Sequence, residues 1–187
     1  MVDVSAKPVT ARAAEAECYL VVGARLLRLL RSARLPKGDA LTVAQVAGAL
    51  AAKRTADLIP LCHPLPLELA RVRVALPREA GAGERGGRVR VWCEARATAR
   101  TGVEMEALTG CAVAALALYD MCKSVDKTMS ITELRVVRKS GGAGDWPPAG
   151  EGGEGGEGGG GEPRVRAHDT SPLRPDETYV PTNLMHF

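Results

Sequence analysis

The chain has 187 residues, 45 % of them hydrophobic, with a formal charge of +3; it can form one domain of ordinary size. Aromatics are only 3 %, so a core must be built from Val, Leu and Ala. No apolar run reaches the length that spans a bilayer, and Met1-Val2-Asp3-Val4-Ser5-Ala6-Lys7 has neither a secretory signal's apolar centre nor a transit-peptide profile, so a soluble, intracellular protein without membrane association is expected. The five cysteines, at 18, 62, 93, 111 and 122, are odd in number and contain no Cys-x-x-Cys, which argues against a disulfide framework and against a zinc site.

Residues 12 to 22 end in Cys18-Tyr19-Leu20-Val21-Val22, a strand closed by Gly23. Leu26, Leu27, Leu29 and Leu30, punctuated by Arg25, Arg28 and Arg31, have the spacing of a short amphipathic helix. Pro36-Lys37-Gly38-Asp39 ends it, and Asp39 is placed to cap a helix from Ala40 to Ala52. In Leu58-Ile59-Pro60-Leu61-Cys62-His63-Pro64-Leu65-Pro66, three prolines in seven residues forbid helix and central strand, and the apolar flanks predict a rigid buried loop.

Leu67 to Leu76 alternates with a phase slip near Ala70, predicting a strand with a bulge. Arg78 to Gly87 is a hairpin loop. Arg88 to Thr98 alternates cleanly: Val89, Val91, Cys93 and Ala95 make a buried face, and Arg88, Arg90, Trp92, Glu94 and Arg96 a wet one. Thr101 followed by Glu104 is a capping-box pattern, predicting an apolar helix from Thr101 to near Lys127. Met129 to Lys139 is the last strand. Strand, helix pair, strand, strand, helix, strand is the order of an α+β, ferredoxin-like fold, an antiparallel sheet with helices packed on one face. Residues 1–145 form this domain. Residues 146–187, with the Gly/Glu repeat Glu151 to Glu162, cannot bury enough apolar surface to offset their ordering entropy and are expected to be disordered.

Singly, the polar groups that could do chemistry are ambiguous. Lys37 lies on a glycine turn before a helix, where an anion could bind, although a solvated turn is the commoner role of such a tripeptide. Lys53, Lys123 and Lys127 sit at helix ends, where the dipole alone favours a cation. His63 is held between Cys62 and Pro64 in a stiff loop, suited either to a placed functional group or to a satisfied structural histidine. Apart from His63, whose adjacency in sequence does not establish contact, Cys62 has no thiolate-stabilising partner identifiable from sequence, and it reads as structural or as a backbone contact. Asp120 and Lys123, three apart, share a helix face. They are either an acid/base pair whose charges tune each other or a simple ion pair of about 0.2–0.5 kcal/mol.

Together, Met1-Val2-Asp3-Val4-Ser5-Ala6-Lys7, Lys37-Gly38-Asp39, Ala52-Lys53-Arg54-Thr55, Leu58 to Leu65, Thr101-Gly102-Val103-Glu104-Met105-Glu106-Ala107-Leu108-Thr109 and Tyr119-Asp120-Met121-Cys122-Lys123 occur in an order that resembles the MoaC family, from Met1 to about Asp145. That resemblance implies a lyase converting 3′,8-cyclo-7,8-dihydro-GTP, made by an upstream radical SAM GTP cyclase, to cyclic pyranopterin monophosphate with release of pyrophosphate in molybdenum cofactor biosynthesis. It further implies a homohexamer built as a trimer of dimers, active sites at the dimer interface, no metal or other cofactor, and a cytoplasmic location, organellar in a eukaryote. By position, Asp120, Lys123 and Lys37 correspond to the catalytic residues, and Leu61, Cys62, His63, Met105, Glu106, Lys53 and Glu104 to the substrate pocket. Ala143 departs from the family pattern, standing where a lysine often follows the paired glycines. The rival class is a nucleic-acid-binding ferredoxin-like module, which would need aromatics on its open sheet face; only Trp92 is available there.

Overall fold

The computed structural model describes residues 1–77, 86–142, 144–147 and 177–179. The elements run β1 (Thr10–Val22), α1 (Ala24–Arg31), α2 (Ala40–Lys53), a single turn α3 (Thr55–Leu58), β2 (Leu69–Pro77), β3 (Gly87–Ala99), α4 (Glu104–Cys122), β4 (Ser130–Ser140) and β5 (Glu177–Tyr179). The sheet order is β4-β1-β3-β2-β5, antiparallel at every pairing. The first four strands with helices on one face are the ferredoxin-like α+β arrangement predicted from the sequence. β5, which pairs Glu177–Tyr179 with Ala75–Pro77, was not predicted. The hairpin loop at 78–85, Ala143 and the Gly/Glu repeat lie outside the described residues.

The core lies between sheet and helices, and its chemistry follows the composition. Ala14, Ala16, Cys18 and Leu20 of β1, Val72 and Val74 of β2, and Val89, Val91, Cys93 and Ala95 of β3 meet Ala107, Cys111, Ala114, Ala115 and Leu118 of α4. With almost no aromatic volume to fill space, the layers must approach closely. α2 and α4 cross where Gly48 faces Gly110: a Cβ on Gly48 would lie 2.6 Å from the Gly110 carbonyl oxygen and 2.8 Å from Ala114 Cβ.

Several expectations are corrected. The bulge near Ala70 is absent; β2 pairs with β3 in unbroken register from Leu69 to Ala75, because the strand begins only at Leu69. Irregularities fall instead between β1 and β4, at Glu15/Ala16 and Glu17/Tyr19. The proline loop is irregular but not buried, with Leu58 56 % and Leu61 70 % exposed. α4 is shorter at both ends: its N-cap is Val103 with no side-chain cap, and at the other end the Val125 and Asp126 N–H groups close on the Cys122 carbonyl. Although no membrane-spanning run was expected, α4 is long and apolar enough to span a bilayer by length and composition; its packing against the sheet and α2 accounts for that composition.

The outer face of the sheet is not wet. Glu15, Glu17 and Glu94 are buried, as are Trp92 and Arg90. Arginines lie across them: Arg90 Nε reaches Glu17 at 2.9 Å, Arg135 Nη2 the same carboxylate at 2.7 Å, Arg138 Nε reaches Glu15 at 2.8 Å, and Arg96 and Arg71 hold Glu94. Long guanidinium side chains cover the acids with their stems and hydrogen-bond Glu15, Glu17 and Glu94 Oε1 with their heads, whereas buried Glu94 Oε2 has, among the described residues, only the Arg71 ion pair at 3.5 Å. Alternation in β3 was legible; the cover supplied by other strands was not.

Candidate active site

Two clusters of the candidate residues form, one at each end of α4. At its C-terminal end the α1–α2 connection turns through Gly38, whose φ of 89° favours glycine. Asp39 Oδ1 then caps α2 by accepting from the Leu41 and Thr42 N–H groups at 3.1 and 3.0 Å. This fixes the backbone beside Lys37, whose Nζ lies 2.8 Å from Asp120 Oδ2 and 2.9 Å from the Asp120 carbonyl oxygen. Lys123, one turn along α4, places its Nζ 2.5 Å from Asp120 Oδ1. The Lys123 hydrogen bond first, and the Lys37 bond second, hold the Asp120 carboxyl down at about 2, and Asp120 in turn raises Lys123. Lys127 is exposed on the following turn.

At the other end the N-terminal segment, the proline loop and the first turn of α4 enclose a recess of about 310 Å³. Leu61, Cys62, His63, Glu104, Met105 and Glu106 line it, with Val2, Val4 and Lys7 from the chain start. His63 Nε2 stands 2.8 Å from the Val2 carbonyl oxygen; it donates there, leaving Nδ1 as the other ring position. Arg100 reaches back to the carbonyls of Ser5 and Lys7. Glu106 is only 4 % exposed; burial pushes its carboxyl above the ordinary range and Glu104 adds to that. Burial likewise raises the Cys62 thiol, with Glu106 contributing. A raised thiol stays protonated at neutral pH, which disfavours a thiolate at Cys62.

The chain does not bring the two clusters together. Glu106 and Asp120 are fourteen positions apart on one helix, about 21 Å at a rise of 1.5 Å per residue. Lys53, exposed at the end of α2, does not line the recess. α2 runs antiparallel to α4, since Lys37 before it meets Asp120 while Ala52 near its end packs on Gly110; Lys53 thus lies toward the recess end. Two lysines escaped the sequence reading. Lys7 lines the recess, its only signal being its place in the Met1–Lys7 stretch. Lys139 pairs with Glu104 at 3.3 Å; nothing at the end of a strand marks it for that contact.

A sequence model of the MoaC family matches residues 1–142. The cyclic pyranopterin monophosphate synthase of Streptomyces coelicolor is 50 % identical over 147 residues, covering 78 % of this chain and 82 % of that protein. The synthase of the same name from Chloroflexus aurantiacus is 52 % identical over 147 residues, covering 78 % and 86 %. Molybdenum cofactor biosynthesis protein 1 of Drosophila melanogaster is 48 % identical over 146 residues, covering 78 % of this chain and 25 % of that protein. The matched span contains β1 to β4 and both clusters, and by that match the chain belongs to the MoaC family.

Proposed function

We propose that this protein is a lyase of molybdenum cofactor biosynthesis, converting 3′,8-cyclo-7,8-dihydro-GTP to cyclic pyranopterin monophosphate with release of pyrophosphate. Relatives at about half identity carry the name of that synthase. The observation that carries the mechanism is Asp120 held between the ammonium groups of Lys37 and Lys123. A triphosphate competes for those cations, and Lys53, Lys123, Lys37 and Lys127 neutralise it as pyrophosphate leaves, an electrostatic role that metal ions fill in other phosphoryl sites. No metal or cofactor of its own is part of this reading.

A carboxylate at about 2 is a poor base at neutral pH. When phosphate oxygens draw the lysines away, the carboxylate loses the charges that depress it, and its pKa climbs toward a range useful for proton transfer. The base is thus kept inert until the polyanion arrives. Leu61, Cys62, His63, Met105, Glu106 and Glu104 hold the ring system, His63 and Glu106 orienting it.

The two clusters become one site when a second copy is added. A two-fold axis across α4 sets the Asp120 end of each chain against the recess of its partner, giving two equal sites per dimer. Val43, Val46 and Leu50 on α2 and Leu116 on α4 are exposed at 43–58 % and provide apolar area for such contacts. Three such dimers form the proposed homohexamer, working in the cytoplasm, or an organelle of a eukaryote, after a radical SAM GTP cyclase. The nucleic-acid reading lacks its platform, because Trp92 is 4 % exposed.

The test incubates purified full-length protein with the cyclised GTP derivative while pyrophosphate is monitored. Pyrophosphate release is expected, with Asp120→Asn binding substrate without converting it. No release by the parent protein, or normal turnover by Asp120→Asn, overturns the assignment.

A further inference from the structure

We propose that Asp126 is a positioning residue that holds both lysines on Asp120, by tying the turn after α4 to the start of α1. This rests on the reading of Asp120 and its lysines as the proton-transfer group.

Three donors converge on the one carboxylate. Oδ2 accepts the Gly23 N–H at 2.7 Å; Oδ1 accepts the Thr128 N–H at 2.9 Å and the Thr128 hydroxyl at 2.7 Å. The Thr128 hydroxyl first, then the Gly23 amide, hold Asp126 below the ordinary carboxylate range, so it carries full charge at neutral pH. Such charge-assisted bonds are shorter and stronger than neutral ones.

The two segments joined here are the two that deliver ammonium groups to Asp120. Gly23 is the N-cap of α1, which has no side-chain cap and no acidic residue in its first turn. Asp126 supplies that missing negative charge from elsewhere in the chain, at the positive end of the helix. The contact is close enough that a Cβ on Gly23 would lie 3.1 Å from Asp126 Oδ2. Eight residues of α1 then lead into the turn that presents Lys37. On the other side, Asp126 follows Lys123 by three residues, and its own N–H bonds the Cys122 carbonyl at 3.2 Å. Lys37 and Lys123 are long and exposed. Their common meeting point on Asp120 is set by where their backbones are held, and Asp126 fixes those backbones relative to each other.

The readout is the titration of the Asp120 carboxyl, followed by NMR in full-length protein without substrate, beside turnover. In the parent it titrates at about 2. In Asp126→Asn and Asp126→Ala the midpoint moves up toward an ordinary carboxylate, and kcat falls about 100-fold, the scale of a displacement near 1 Å. Thr128→Val, which removes one of three donors, gives a smaller shift in the same direction. A merely structural role lowers the melting temperature and leaves the Asp120 midpoint in place. An unmoved midpoint in folded Asp126→Asn overturns the proposal, and where the Asp126 variants do not fold, Thr128→Val decides it by the same criterion. A parent protein that titrates as expected but releases no pyrophosphate overturns the functional reading instead, so the two failures are distinct.

Discussion

Glu106 and Asp120 stand at opposite ends of one unbroken helix, the first sealed in a recess and the second held between two lysines at the surface. If one reaction uses both, the groups meet between copies of the chain. Glu106→Gln and Asp120→Asn proteins, each inactive alone, are therefore expected to regain activity when co-assembled. In a mixed dimer one site inherits both substitutions and the other neither, so random pairing restores about a quarter of parental sites. Turnover of the co-expressed mixture measures this. A mixture as dead as its components sinks the shared-site arrangement.

Pyrophosphate should loosen the grip on Asp120. As the depressed pKa requires, the ligand-free ion pair contributes stability above the unfolded carboxylate value of about 3.9 and loses it as pH falls toward about 2. Adding inorganic pyrophosphate draws Lys37 and Lys123 away, and the Asp120 midpoint followed by NMR rises. Lys123→Ala raises it without ligand. A midpoint indifferent to pyrophosphate removes the proposed activation of the base.

Glu106 has the opposite sign. Its carboxyl is raised in the folded chain, chiefly by burial, so ionising it costs stability. The penalty is absent below the unfolded value of about 4.3 and complete once pH has passed the folded value. Glu106→Gln is expected to melt above the parent at neutral pH, with the difference closing below about pH 4. Thermal melts across that range check it; a variant less stable at neutral pH contradicts it.

Gly48→Ala tests the close crossing of α2 and α4. The new methyl group would sit 2.6 Å from a backbone oxygen that cannot swing away, so the helices must part. A cost of about 1–3 kcal/mol is expected, read as a lowered urea midpoint. An unchanged midpoint would mean that the crossing has slack.

Much of this was legible in the chain. Alternation in β3, the Pro-Lys-Gly-Asp break before α2 and the small-residue run of α4 fixed strands, cap and layer, because local patterning there agrees with the tertiary packing. Sharing of Asp120 between Lys37 and Lys123 was half visible: the spacing of three gave Lys123, whereas Lys37 comes from 83 residues away and only the fold delivers it. The capping box failed because Thr101 is not the N-cap; Glu104 folds back toward Gly102 and pairs with Lys139. Pro60 to Pro66 misled in burial because apolar residues beside prolines can serve a second surface as well as a core.

The cover on the outer sheet carries a consequence for how such sequences drift. Arg135, Arg138 and Arg96 each bring two N–H groups of one guanidinium to a single carboxylate oxygen, of Glu17, Glu15 and Glu94 respectively. Glu15 and Glu94 are also register partners, like charges side by side. Lysine offers one ammonium point where arginine offers a planar fork. Exchanging these arginines for lysines would leave every tally of positive and negative residues unaltered while three buried acids, two of them side by side, lost a planar clasp, so at these positions the shape of the cation, beyond its sign, is what the fold selects.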